Sequence, residues 1–326
     1  VRIPGLGGLG AAYRVVSSER MPKAGTPRLP DGRNPFRLGV SMTTSPNRCV
    51  LITGTSSGIG LATAIACARA GWTTVATMRD TTRAEALNAA AAAAGVSLDI
   101  RALDVTDESV REGIDSVATE HGRLDAVINN AGAAYLGTVE NDDLADIRAC
   151  VEVNFFGVVQ VSQAAMPHLR ASGGRLLTIS SVGGSVGQPF NEAYCAAKFA
   201  VEGFMQSLAP VARTVGVQVG IIEPAAVASE FVANANVDIP AMVAQAGPYA
   251  PALTAYVQRV QAMYEADTGK SQTSDEVAAV VMEMLTVPEL PFRTQTSNEA
   301  RDFVGRSLSD LNGSAVLGET RGWVGQ

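Results

Sequence analysis

The stretch Cys49-Val-Leu-Ile-Thr-Gly-Thr-Ser-Ser-Gly-Ile-Gly60 decides how this chain folds. Its first four residues are a continuous apolar run, as a strand buried on both faces of a parallel sheet requires. Glycines follow at 54, 58 and 60, and then Gly60–Ala70, small and apolar at helical spacing. Strand, glycine-rich turn and helix in this order let a pyrophosphate approach a helix N-terminus closely. Taken alone, the same letters also suit an ordinary strand-to-helix turn. A Walker-type phosphate loop is excluded, because no Gly-Lys-Ser/Thr follows.

Outward from this unit, short β-rich runs alternate with longer helical stretches. Strands are expected at Thr73–Thr77, Ser97–Leu103, Asp125–Asn129, Arg175–Ser180 and Val217–Glu223, with helices over 84–94, 107–120, 142–171, 192–213 and 274–286. Six parallel strands with interleaved helices make an α/β doubly wound sheet, here one domain over 42–326. Residues 230–268, rich in Pro, Gly, Ala and Met, interrupt the alternation and read as a small lid insertion over a substrate site. Residues 1–41 carry seven basic residues against two acidic ones, with Gly and Pro throughout, and read as a flexible tail. A start placed too far upstream of Met42 accounts for that tail and for the initial Val; a basic functional or targeting segment is the alternative.

Composition narrows the function. The chain has 326 residues, a formal charge of −7 and only 5% aromatic residues, so nucleic acid is not an expected partner. Cys49, Cys67, Cys150 and Cys195 form no CxxC and lie far from His121 and His168, so no metal site is expected and the thiols read as reduced and half-buried. The uncharged windows Cys49–Ala68 and Ile239–Gln258 are broken by the glycine-rich turn and by Pro240, Pro248 and Pro251, so no membrane span is expected. With no apolar secretion signal near the start, the expected location is cytoplasmic.

Several further motifs stand in a fixed order: Asp104-Val105, Asn129-Asn130-Ala131-Gly132, Asn154 in Val-Asn-Phe-Phe-Gly, Ser181 in Ile-Ser-Ser, and Tyr194-Cys-Ala-Ala-Lys198. Together with the TGxxxGxG spacing they resemble the short-chain dehydrogenase/reductase family over about residues 48–320. The stretch Pro189–Gly203 and Pro291-Phe-Arg-Thr resemble the branch that holds 17β-hydroxysteroid dehydrogenase type 1 and the retinol dehydrogenases. The resemblance implies a Rossmann fold whose phosphate loop (Thr53, Gly54, Ser56, Ser57, Gly58, Ile59, Gly60) holds a nicotinamide dinucleotide. It implies that Asp104 and Val105 meet the adenine edge and that Asn130, Ala131 and Gly132 support the adenosine side. Pro224, Val227 and Ser229 would face the carboxamide.

Tyr194 and Lys198 are i and i+4 and share one helix face. A nearby ammonium stabilises a tyrosinate and lowers the phenol from its reference of ~10. Only three lysines, Lys23, Lys198 and Lys270, stand among 25 basic residues, so a lysine at this place is a deliberate choice of a compact charge. The resemblance assigns Tyr194 as proton donor or acceptor, Lys198 as its partner and ribose ligand, Ser181 as hydrogen-bond donor to the substrate oxygen, and Asn154 as holder of a relay water. Strand two ends Met78-Arg79-Asp80, which favours NADP(H) through Arg79 and leaves NAD(H) open through Asp80. The family's Pro-Gly after strand six is Pro224-Ala225 here, and Ala lacks the left-handed freedom of Gly.

The expected activity is interconversion of a secondary alcohol and a ketone, or of an alcohol and an aldehyde, on a small hydrophobic substrate. An NAD-dependent member of the same family and a non-catalytic nucleotide-sensing member are the alternatives, the second disfavoured by the intact tetrad. Apolar positions beyond one inward stripe on helices 142–171 (Val158, Val159, Val161, Ala164, Ala165, Met166) and 192–213 (Val201, Phe204, Met205, Leu208, Val211) lead us to expect a homodimer or homotetramer.

Overall fold

A computed structural model describes residues 48–228, 238–265 and 271–326. The expected tail at 1–41, Ser229 and parts of the 230–268 insertion lie outside the described residues. The strands are β1 (Cys49–Thr53), β2 (Thr73–Met78), β3 (Asp99–Ala102), β4 (Ala126–Asn129), β5 (Arg175–Ile179), β6 (Gln218–Glu223), β7 (Val227–Ala228), β8 (Gln272–Thr273) and β9 (Arg293–Gln295). Seven of them form one parallel sheet in the order β3-β2-β1-β4-β5-β6-β9, and β7 pairs with β8 separately. The doubly wound α/β architecture is as the sequence predicts. Its strand count is corrected from six to seven, because Arg293–Gln295 is three residues long and only half-buried, too short to show an apolar run.

The helices are α1 (Gly58–Arg69), α2 (Glu85–Ala94), α3 (Val110–His121), α4 (Leu144–Val151), α5 (Gly157–Ser172), α6 (Glu192–Arg213), α7 (Ile239–Gln245), α8 (Ala250–Glu265), α9 (Ser274–Thr286), α10 (Asn298–Ser309) and α11 (Ser314–Arg321). Two apolar layers hold them to the sheet. Leu51, Val127 and Leu176 face Ile114, Val161, Leu169 and Met205 of α3, α5 and α6. Ile52, Ile128 and Leu177 face Ala64, Leu87 and Val281 of α1, α2 and α9. Alternate residues of one strand thus feed opposite cores, and each fully buried Leu or Ile stabilises the fold by about 1.5–3 kcal/mol. The sheet order reverses between β1 and β4, and a cleft forms there at the carboxyl ends of the strands.

The single helix expected over 142–171 is instead α4 and α5 joined by a π-helical turn at Glu152–Phe156. Apolar periodicity does not register the one-residue widening of such a turn. The oligomer expectation also needs correction in its details. Val158, Val161, Ala164, Ala165, Val201 and Met205 belong to the core of this chain and leave nothing for a partner. The exposed large apolar side chains on these stretches are Leu144, Phe156, Phe199 and, at 64% exposure, Val211. No described helix is long and apolar enough to cross a membrane.

Candidate active site

The cleft is built from the ends of β1 and β4 outward. Thr53 closes β1 with a buried hydroxyl that accepts the amides of Asn130 and Ala131, both at 3.0 Å, and donates to the Ile128 carbonyl at 3.4 Å. The Asn130 amide returns the tie, donating to the carbonyls of Thr53 at 2.9 Å and Gly54 at 2.8 Å. A second brace joins the loop to β2, where the Thr55 amide and hydroxyl both reach the Thr77 carbonyl, at 3.0 and 3.1 Å. So braced, the loop needs no side chain at its turning points. Gly54 has φ +69°, and a Cβ there would stand 2.7 Å from the Ala131 Cα. A Cβ on Gly60 would overlap the Gly54 carbonyl and the Asn130 amide. Helix α1 begins after extended Ser57 with no acidic residue in its first turn and no side-chain cap, so its first amides and positive dipole end are open to an anion.

A cleft of about 1310 Å³ runs from this loop across the sheet. Gly54, Ser56, Ser57, Gly58, Ile59, Gly60, Arg79, Asp104, Val105, Asn130, Ala131, Gly132, Ser181, Tyr194, Lys198, Pro224 and Val227 all line it. Thr53 and Asn154 stand behind the wall as fully buried supports. The Asp104 Oδ1 accepts the Thr106 amide at 3.0 Å and hydroxyl at 2.7 Å, which fixes the turn after β3. The Asp80 Oδ1 is likewise committed to the amide and hydroxyl of Thr82, and those hydrogen bonds hold its carboxyl below the ordinary carboxylate range. Arg79 and Arg83 flank it on the cleft. Ala225 does not have a positive φ, so the Pro224-Ala225 loop turns without the freedom that a glycine supplies.

The π-helical turn sets Asn154. Its Nδ2 donates to the carbonyls of Cys150 and Ala133, both at 2.9 Å, and its Oδ1 accepts the Ala133 amide at 3.3 Å. A Cβ on Gly132 would lie 2.8 Å from Asn154 Oδ1 and 3.8 Å from Lys198 Nζ, so glycine keeps this corner open. Lys198 is buried and donates to the Ile179 carbonyl at 3.1 Å, with Nζ 5.7 Å from the Tyr194 ring centroid. The Ser181 hydroxyl accepts the Gly183 amide at 3.0 Å and hydrogen-bonds the Tyr194 phenol. Asn154, Ser181, Tyr194 and Lys198, 44 positions apart in sequence at most, are thus brought to one corner of the cleft.

The electrostatics differ from the sequence expectation. Burial pushes Tyr194 up to about 12, against a smaller opposing effect of the Ser181 hydrogen bond. Burial also lowers Lys198 to about 8. Within the protein's own groups the loss of water therefore outweighs the hydrogen bond that favours the phenolate. Tyr194 is thus a protonated phenol at neutral pH, beside a buried lysine. Burial raises the thiol of neighbouring Cys195 to about 11, so it is no nucleophile.

Other cleft residues gave no sequence signal. Tyr256 of α8 accepts a hydrogen bond from Asn191 at 2.8 Å and packs on Phe190 at 5.6 Å between ring centroids. Phe190, with φ +60°, is the one described non-glycine residue in the left-handed region, and its carbonyl accepts the Gly137 amide at 2.9 Å. Helix α8 is thereby pinned to the segment leading into α6. Farther out, Phe303 and Trp323 stack at 5.8 Å and bring the C-terminal segments to the cleft. Asn191 was legible only as part of Pro-Phe-Asn; the others come from segments whose docking no local pattern encodes.

A family model described as short chain dehydrogenase matches residues 48–240. Retinol dehydrogenase 8 of Bos taurus is 33% identical over 278 residues, covering 83% of this chain and 88% of its own. Estradiol 17-beta-dehydrogenase 1 of Rattus norvegicus is 34% identical over 275 residues, covering 82% and 79% respectively. Among solved structures, a short-chain dehydrogenase from Streptomyces avermitilis aligns with a TM-score of 0.67 at 26% identity, covering 87% of this chain and 100% of that one.

Proposed function

The chain belongs to the short-chain dehydrogenase family and is an NAD(P)-dependent oxidoreductase, and from that premise we propose that it interconverts a hydrophobic ketone or aldehyde and its alcohol with NADP(H). The observation that carries this reading is the corner where Tyr194, hydrogen-bonded to Ser181, stands beside buried Lys198 and the side-chain-free Gly132.

The residues present suit a dinucleotide. Gly54, Gly60 and Gly132 leave a cradle that any Cβ would fill, and the uncapped start of α1 supplies amides for a pyrophosphate. Asp104, Val105 and the Asn130–Gly132 stretch would hold the adenosine half, and Lys198, Pro224 and Val227 the nicotinamide half. When bound, the nicotinamide supplies or accepts the hydride. The chain does the rest. Ser181 donates a hydrogen bond to the carbonyl oxygen and orients it. Tyr194 donates the proton to that oxygen, or takes it from the alcohol in the opposite direction. Lys198 stabilises the phenolate that remains, and Asn154 keeps the 131–134 backbone, hence the open corner, in place. The apolar walls around Tyr256, Val260, Phe303 and Trp323 favour a hydrophobic substrate, with α7 and α8 as its lid.

NADP(H) preference rests on Arg79 and Arg83 facing the cleft while Asp80 is tied to Thr82. Arg79→Ala should raise KM for NADPH at least several-fold more than KM for NADH, since only the phosphorylated ribose loses a charge-assisted bond. Equal changes for both cofactors would assign recognition to Asp80 or the backbone.

The exposed Phe156, Phe199 and Val211 support a homodimer through α4, α5 and α6, a surface that would brace the helix carrying Tyr194. Light scattering should then give at least twice the 33.7 kDa chain mass. An active monomer at micromolar concentration would contradict it.

A further inference from the structure

Behind the catalytic corner lies a buried charge cluster that the proposed chemistry does not use. Glu202 is 4% exposed and sits one turn beyond Lys198 on the same face of α6. Its Oε1 accepts the Ser180 hydroxyl at 2.5 Å, and its Oε2 accepts Arg293 Nε at 3.1 Å and Nη2 at 2.9 Å. Glu223, fully buried at the end of β6, accepts Ser185 at 2.8 Å and Gln295 at 2.6 Å, and lies 3.9 Å from Arg293 Nε. Every carboxylate oxygen of the pair thus has a donor, and at Glu202 burial and the neighbouring Glu223 raise the carboxyl against the hydrogen bonds of Ser180 and Arg293. Two buried carboxyls stand against one arginine. The remaining positive charge in this part of the interior is Lys198, whose own hydrogen bond goes to a neutral carbonyl.

With both carboxyls ionised, a protonated Lys198 one helical turn away offsets the negative charge that Arg293 leaves over. We infer that Glu202 is the counter-charge of Lys198, positioned by Arg293 from the last strand of the sheet, and that it keeps the lysine protonated for its work beside Tyr194. The inference rests on the proposed catalytic reading only for the last clause. The other groups facing Lys198 are Tyr194 on its own helix, Cys150 of α4, Asn154 of the π-helical turn and the Ile179 carbonyl of β5. Burial keeps the Tyr194 phenol and the Cys150 thiol protonated at neutral pH, so neither provides a negative charge there. Burial dominates Lys198 and pulls it down, while Cys150 and then Glu202 pull it back up; of these two only the carboxyl can carry its charge at neutral pH. The arrangement also accounts for Pro291-Phe-Arg-Thr, whose arginine fixes the carboxylate through Glu202 Oε2. Ser180 in turn links that carboxylate to the residue before Ser181.

The three lysines make a direct test available. In the full chain with Lys23→Arg and Lys270→Arg, the 13Cε signal of labelled lysine reports Lys198 alone and can be titrated without cofactor or substrate. Glu202→Gln, which keeps the shape and removes the charge, should move the Lys198 midpoint from about 8 down by roughly one on the pH scale. Glu202→Asp should restore most of it. If Glu202→Gln does not fold, Glu223→Gln carries the test, with a smaller shift in the same direction. An unchanged midpoint in a folded Gln variant overturns the inference. In the active enzyme the basic limb of the kcat profile should follow the same shift, because Lys198 loses its charge as pH rises through its midpoint. If turnover depends on Tyr194 but the titration does not move, the counter-charge assignment fails and the catalytic reading stands. If the titration moves but no carbonyl is reduced, the reverse holds.

Discussion

Tyr194→Phe should lower kcat about 10²–10⁴-fold while leaving NADPH affinity and melting temperature nearly unchanged. The substitution removes one oxygen from a half-buried ring at the start of α6, so packing against Gly183 and its neighbours is retained. What disappears is the proton. The phenol, pushed up to about 12, carries its proton at neutral pH, and the Lys198 ammonium, 5.7 Å from the ring centroid and bonded to the Ile179 carbonyl, does not stand in its place. Ser181 is a far weaker acid, and the Cys195 thiol points its hydrogen bond to the Val186 carbonyl. Steady-state kinetics beside a direct cofactor titration separates the two effects. Loss of cofactor binding in the Phe variant would show that the ring hydroxyl supports the dinucleotide rather than the reaction.

Gly54→Ala should damage the phosphate loop strongly. Its φ of +69° costs an alanine about 1–2 kcal/mol, and the added methyl meets backbone rather than a movable side chain, 2.7 Å from the Ala131 Cα. Overpacking of this kind costs a further ~1–3 kcal/mol. The loop cannot yield locally, because Thr53, Thr55 and Asn130 tie it on both sides to β4 and β2. The expected result is a melting temperature lower by several degrees and at least a tenfold weaker NADPH affinity. Wild-type stability and affinity would mean that the loop is held much less tightly than these hydrogen bonds imply.

The fold was legible where side chains repeat with a period and the site where they stand at fixed spacing. Val50 to Ile52 read as a doubly buried strand and are one, and Tyr194 and Lys198 read as neighbours on a helix and are neighbours. What escaped was set by tertiary docking. Arg293–Gln295 joins the sheet only because Ile221 and Glu223 offer it an edge. Nothing in the local sequence sets Glu202 apart from other polar helix residues; the docking of β9 places Arg293 against it. The π-helical turn that sets Asn154 widens a helix by one residue, and apolar spacing passes over it. The choice of residues behind the oligomer expectation differs from the structure for a related reason. Spacing shows which residues are apolar, whereas the three-layer packing decides that Val158 and Met205 go to the core and Phe199 to the surface.

In the proposed reaction Tyr194 passes a proton to a carbonyl while NADPH is consumed. Its most direct test is reduced-nicotinamide absorbance followed with purified protein across a panel of apolar ketones and aldehydes, for wild type and Tyr194→Phe side by side. The expected result is NADPH consumption matched one-for-one by alcohol in the wild type, faster than with NADH, and lost in the Phe variant despite intact cofactor binding. Undiminished turnover by Tyr194→Phe, or tight NADPH binding by a wild type that reduces no member of the panel and oxidises none of the corresponding alcohols, would contradict it.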